Sequence, residues 1–241
     1  MMSLPKLNAP QYKLRIPSTD EEITYRPFLV KEEKLLLIAQ ETGTDKATYD
    51  AIKQIINSCC SGGDLNIETM PLFDLEYIFL NIRAKSVGEV TKIKVKCPDD
   101  GETNVDIEID LTTIQVQMDK AHDARIQLSE EPNIGILMSY PTIDTVGKGA
   151  PKKEGSNNAK VLFDMISNCM YQIWEGEETY DCMDYSQKDK LTFLESLNHS
   201  QFEKIQTFFE TMPTIKHEVE VDNPKTGVKS TVTLSGMNDF F

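Results

Sequence analysis

The sequence predicts an α+β fold in two packed halves. Three observations carry this: apolar residues at helical spacing in five stretches, strict alternation in three others, and a Pro-x-x-Gly turn at the centre of the last two alternating stretches. Near the start, Tyr12, Leu14 and Ile16 alternate with Lys13 and Arg15, Pro17-Ser18-Thr19-Asp20 interrupts, and Ile23 and Tyr25 lead to Pro27-Phe28, which reads as a hairpin. From Lys31 a helix carries Leu35, Leu36, Ile38 and Ala39 and ends near Gly43. A second helix covers Asp45 to Cys60 and is stopped by Ser61-Gly62-Gly63. Pro71 suits the first turn of a third helix, in which Leu72, Leu75, Ile78, Phe79 and Ile82 keep helical spacing through Lys85. After Gly88 the period changes. Ile93, Val95 and Cys97, then Pro98-Asp99-Asp100-Gly101, then Val105, Ile107, Ile109 and Leu111 give a second hairpin, which completes a first half at residues 1–115.

The second half, 116–241, opens with short apolar runs such as Ile134 to Tyr140, read as strands. Residues 147–158, with two glycines before Pro151 and one after it, read as a mobile loop. Helical spacing returns at Val161, Leu162, Ile166, Cys169, Met170 and Ile173. An acidic segment, Glu175 to Asp184, precedes a helical stretch from Gln187 to Met212 that bends near Asn198 and is closed by Pro213. Val219, Val221, Pro224, Gly227, Val232 and Leu234 outline a third hairpin. Leu75-Glu76, Ile78 and Ile82 match Phe202-Glu203, Ile205 and Phe209 at one constant offset, and with one residue of slippage the hairpins that follow also align, although their alternation slips by one after each turn. Two readings stay open here, an internal duplication and the chance likeness of any helix followed by a hairpin.

The charge narrows the function classes. With 39 acidic against 25 basic side chains the net charge is −14, which opposes binding to phosphate backbones, so nucleic acid is not expected as a partner. The five cysteines are an odd number with two adjacent, which is no disulfide framework. No charged and apolar leader opens the chain, and no run approaches the roughly 18 apolar residues of a membrane span. A reducing, cytoplasmic setting is the expectation.

No catalytic pattern is visible. His122, His199 and His217 lie far from one another and from the cysteines in sequence, so metal-ligand spacing is missing. Cys97-Pro98-x-x-Gly101 has the form of half a zinc knuckle, but Asp99 and Asp100 stand where a second soft ligand is needed, and Asn223 takes the cysteine position in the last hairpin. The expectation is a degenerate zinc-ribbon-like hairpin pair without metal, and no cofactor. Cys59 and Cys60 adjoin Ile52, Ile55 and Ile56, which favours burial over nucleophilic use. Gly147-Lys148-Gly149 lacks the order of a phosphate loop, and the acidic segment lacks the ligand order and central glycine of a calcium loop. A non-enzymatic binding protein is expected. The alternatives are a metal-binding regulatory or nucleic-acid-binding module on the Cys97 hairpin, and a thiol enzyme at Cys59 or Cys60.

Leu4-Pro5-Lys6-Leu7, the run from Tyr25-Arg26-Pro27-Phe28 through Lys31-Glu32-Glu33-Lys34, Arg83 to Glu89, and the closing Gly236-Met237-Asn238-Asp239-Phe240-Phe241 together resemble the baseplate hub and hub-assembly proteins of T-even-type contractile-tailed bacteriophages. The likeness touches both ends and the middle of the chain. It implies a viral, non-enzymatic protein of the tail baseplate hub, whose partners are other hub and tail proteins, with the tape-measure protein as a further candidate. It also implies assembly in the host cytoplasm and a place in the virion tail. Some relatives carry paired Cys-Pro-x-Cys-Gly knuckles where this chain has Asn223-Pro224-Lys225-Thr226-Gly227, so a zinc role does not carry over. The residues expected to meet partners are Arg26, Phe28, Lys31, Glu32, Phe240 and Phe241. For the phenylalanines, docking into the protein's own core is the competing reading, and for the charged residues it is a capped, ion-paired helix face.

Overall fold

The computed structural model describes residues 8–63, 65–145 and 158–240, so the expected loop at 147–158 lies outside them except for Asn158. Helices and small antiparallel sheets make the mixed α+β architecture the sequence predicts. The chain divides into two compact units, Met1–Gln117 with Thr214–Phe241, and Met118–Pro213.

In the first unit, β1 (Tyr12–Arg15) and β2 (Glu22–Tyr25) form the expected hairpin, with Leu14 opposite Ile23, and β3 (Cys60–Ser61) adds to its edge. Helix α1 (Val30–Thr42) ends where Gly43 turns left-handed at φ +64°, a conformation that costs glycine nothing. Helix α2 (Asp45–Cys59) starts at Thr44, whose hydroxyl accepts the Ala47 N–H. Helix α3 (Leu72–Val87) is buried on nearly every side, with Leu75, Ile78 and Ile82 fully enclosed, so it is the axis of this unit. Two hairpins pack around it: β4 (Val90–Lys96) with β5 (Asn104–Asp110), and β11 (Thr214–Asp222) with β12 (Lys229–Ser235). Val95, Ile109, Val221 and Leu234 from the hairpins share one core with Leu80 and Ala84 of α3.

The last hairpin therefore sits with the first part of the chain, whereas sequence order assigns it to residues 116–241. The reason is pairing. Ile215 and Thr214 of β11 align with Val116 and Gln117 of β6 (Val116–Gln117), and the apolar face of the hairpin meets α3 instead of the segment that precedes it.

The tips of the two hairpins share one geometry. The Gly101 N–H donates to the Cys97 carbonyl at 2.9 Å and the Gly227 N–H to the Asn223 carbonyl at 2.8 Å, with both glycines at positive φ. The tips also grip each other: Asn223 Nδ2 donates to both carboxylate oxygens of Asp99 at 3.0 and 3.1 Å, and the Thr226 hydroxyl donates to the same carboxylate. Charge-assisted hydrogen bonds thus join residues more than a hundred positions apart.

The second unit is a four-stranded sheet in the order β10-β9-β8-β7, covered by helices. Its elements are β7 (Arg125–Ser129), β8 (Ile134–Met138), α4 (Asn158–Asn168), β9 (Met170–Glu175), β10 (Glu178–Asp181), α5 (Gln187–Ser196) and α6 (His199–Thr211). Ile126, Leu128, Ile136 and Met138 of the sheet pack with Ile166, Leu194, Ile205 and Phe208 of the helices. Trp174 lies across Gly135, where an added Cβ would stand 1.9 Å from its ring, and Arg125 covers the ring 4.1 Å from its centroid.

Three expectations change here. Met170 and Ile173, placed on a helix by their spacing, belong to strand β9, because pairing with β8 overrides a period that fits both. The acidic segment is a β9–β10 hairpin and a 3-10 turn, Cys182–Asp184. The stretch from 187 to 212 does not bend but breaks, since Asn198 leaves the helix to cap α6 by accepting the Gln201 N–H at 3.0 Å.

Candidate protein-binding surface

The run from Arg26 to Lys34 carries the chain from β2 into α1, and two of its charged residues, Arg26 and Glu32, turn inward while Lys31, Glu33 and Lys34 stay exposed. The Arg26 guanidinium donates to Glu32 Oε1 at 2.9 Å, to the Ser58 carbonyl at 2.9 Å and to the Pro27 carbonyl at 2.9 Å. Glu32 is only 1% exposed, and its second oxygen accepts the Leu29 N–H at 2.8 Å, satisfying a donor the helix start leaves free. Burial alone would raise the Glu32 carboxyl, but hydrogen bonds from Arg26, the Leu29 N–H and Lys31 reverse that and hold it at about 2. Lys31 reaches Glu32 Oε1 at 3.1 Å from a side chain that stays 68% exposed. Phe28 is half-buried, and its N–H donates to Ser86 Oγ at 2.9 Å, which pins the start of α1 to the end of α3.

That clamp leaves an apolar shoulder on the surface. Leu29, Val30, Val87 and Val90 are exposed around the joint between residues 28 and 86, and Leu37 and Ile38 extend the outward face of α1. At 80% exposure Val30 is the extreme. A surface helix normally turns a polar face to water, so apolar residues on that face make it a candidate interaction surface. Gly88 permits the turn from α3 into β4 at φ +142°, a conformation closed to other residues.

The remaining expected site residues are placed differently. Phe240 is fully buried in the α3-hairpin core, beneath the Met237 N–H, which donates to Glu76 at 3.2 Å. Phe241 lies outside the described residues. Arg26 and Glu32 shape the shoulder from below, and of the expected contact residues Lys31 and part of Phe28 reach its surface. The sequence reading missed Val30, Leu37, Val87 and Val90. A signal existed for Leu37: α1 holds more apolar residues than one buried stripe can use.

The places where chemistry was sought are closed or empty of partners. Burial pushes the Cys59 thiol up to about 11 and that of Cys60 to about 12, so both are protonated at neutral pH. Among the described residues no group of three or more His, Cys, Asp or Glu side chains is placed to hold a metal ion. At the Cys97 turn, Asp100 is committed to the Thr103 hydroxyl at 2.6 Å and to the Thr103 and Glu102 N–H groups at 3.0 Å, which hold its carboxyl far below the usual range. His122 is held between Thr211 Oγ1 and the Tyr140 hydroxyl; because Thr211 already donates to the Thr207 carbonyl, Nδ1–H is the donor to Thr211 and Nε2 accepts from Tyr140. No helix among the described residues is long and apolar enough to cross a membrane.

Comparison with curated proteins and with solved structures finds no match. The family model described as T4 bacteriophage base plate protein matches residues 9–241, and on that match the chain belongs to this family of phage baseplate proteins.

Proposed function

We propose that the chain is a structural or assembly protein of the baseplate hub, acting by protein-protein binding during tail assembly in the host cytoplasm. The observation that carries the binding role is the exposed shoulder of Leu29, Val30, Leu37, Val87 and Val90, because a buried ion pair and a cross-helix hydrogen bond are used to hold apolar side chains in water. Its partners are other hub and tail proteins, with the tape-measure protein among the candidates. Lys31 and Phe28 border the shoulder as contact residues, while Arg26 and Glu32 act as positioning residues beneath it. The closed thiols and the −14 charge agree with a protein that neither performs thiol chemistry nor binds nucleic acid.

Peptide counting on purified virions, combined with a null mutant, tests this. Stoichiometric presence in the particle supports a structural subunit, and absence combined with an assembly defect supports an assembly factor. Normal baseplates from the null mutant would remove both versions.

A further inference from the structure

We infer that the β9–β10 ribbon of the second unit is a separate docking surface for a basic protein segment that brings an apolar side chain. Three observations meet there. Cys182 is 1% exposed and anchors the 3-10 turn, yet its neighbour Met183 is 81% exposed, held at the apex by its N–H to the Asp181 carboxylate at 2.8 Å. Tyr171 is the extra residue of a β-bulge, since Gln172 faces Leu137 while Met170 faces Met138, and the bulge turns its side chain outward to 50% exposure. Gln172 pairs with Asp181, so Tyr171 lies at the same end of the ribbon as the Cys182–Asp184 turn, and Tyr185, 45% exposed, closes that turn through its N–H to the Cys182 carbonyl.

Methionine and tyrosine are side chains that interfaces favour, and the capped turn fixes the backbone that presents Met183. The charge around them selects the partner. No lysine or arginine occurs between Lys160 and Lys188, while Glu175, Glu177, Glu178, Asp181 and Asp184 all fall on the ribbon and its turn. Lys188 and Lys190, beside Asp189 at the start of α5, and Arg125, which lies over Trp174 of β9, are fewer than these five carboxylates and leave the ribbon acidic. Asp181 and Asp184 stand at the anchors' end of the ribbon and Glu175, Glu177 and Glu178 at its other end, so negative charge runs along the ribbon, where it steers an extended lysine- or arginine-bearing segment and repels phosphates.

This inference does not rest on the hub assignment, and its test needs only purified full-length protein. The probes are fluorescein-labelled peptides: one of lysine and leucine, one of lysine and serine with equal charge, and one of glutamate and leucine. Anisotropy is expected to show binding of the first alone, about tenfold weaker for Met183→Ala with Tyr171→Ala, and restored when Met183→Leu replaces Met183→Ala. Asp184→Asn with Glu177→Gln is expected to weaken binding and flatten its salt dependence. Unchanged Trp174 fluorescence checks that the second unit remains folded in each variant. Equal binding of the lysine-serine peptide, or wild-type binding by the Met183/Tyr171 variant, would reduce the effect to net charge and overturn the inference. Absence of binding by the lysine-leucine peptide would also overturn it, leaving the hub assignment untouched.

Discussion

Glu32 and Glu76 are both helical glutamates of the first unit, both withdrawn from water, and their carboxyls are displaced in opposite directions. At the N-terminal joint Arg26 and Lys31 face Glu32, and hydrogen bonding to the charged form wins over burial, which holds the group at about 2. At the C-terminal joint, burial dominates and the Met237 N–H only partly offsets it, so Glu76 is pushed up to about 7. What separates them is the cation. A buried carboxylate with a guanidinium fixes a chain reversal at neutral pH, whereas one with a single amide donor holds its segment best when protonated.

The C-terminal segment still holds chiefly through its apolar residue, and the largest expected effect follows from that. Phe240→Ala removes a fully buried ring from the α3-hairpin core and should destabilise the first unit by about 4 kcal/mol. Hydrogen exchange of the β4, β5, β11 and β12 amides measures it, whereas the single tryptophan lies in the second unit and does not report on this core. Retained protection would show that the segment is not part of the core.

Glu32→Ala comes next, at about 3 kcal/mol, because it leaves Arg26 partly buried without its carboxylate. The sign against pH is that of a depressed acid: the Glu32 contribution is full above its unfolded value near 4.5 and is lost as pH falls through about 2. Denaturation midpoints of wild type and variant should therefore converge in acid. A constant gap between them would assign the loss to packing.

Glu76→Gln should have the opposite profile. A raised carboxyl takes up a proton on folding, so wild-type stability falls as pH rises from about 4.5 to about 7, by an amount on the order of 2 kcal/mol. The variant should match wild type near pH 5 and exceed it at pH 8, because an amide oxygen still accepts the Met237 N–H. A variant less stable at pH 8 would mean that the Met237 N–H bond to the carboxylate outweighs its burial.

The smallest effect belongs to the hairpin clasp. Asn223→Ala should cost about 1 kcal/mol and raise exchange at both turns, since Asp99 keeps only Thr226 across the gap. Exchange that rises at one turn alone would separate the two tips.

The two joints also differ in how legible they were. The hairpins and α2 could be read because their periods are strong, and the bounds of α1 to α3 because their ends carry Gly43, Thr44 and Pro71. The pairing of Arg26 with Glu32 could not, because the residues belong to a strand end and a helix start, where no helical spacing rule connects them. Residues Met170 to Ile173 fit either period, and only the neighbouring strand β8 decides between them. The return of β11 and β12 to α3 depends on contacts across the whole chain, which local pattern does not contain. Of the surface, the charged run of α1 lies at the same end of the helix as the exposed shoulder, while the exposed valines on either side of the Phe28–Ser86 joint became visible only when two distant segments met.

The most direct test of a binding role at this joint places a charge on it without disturbing the clamp. Val30→Glu with Val87→Glu alters two exposed side chains and leaves Arg26, Glu32 and Ser86 in place. In infected cells complemented with this variant, peptide counting on sedimented baseplates and their precursors should show wild-type levels of soluble, folded protein and at least tenfold less of it in the assemblies. Wild-type incorporation of the double variant would contradict the account.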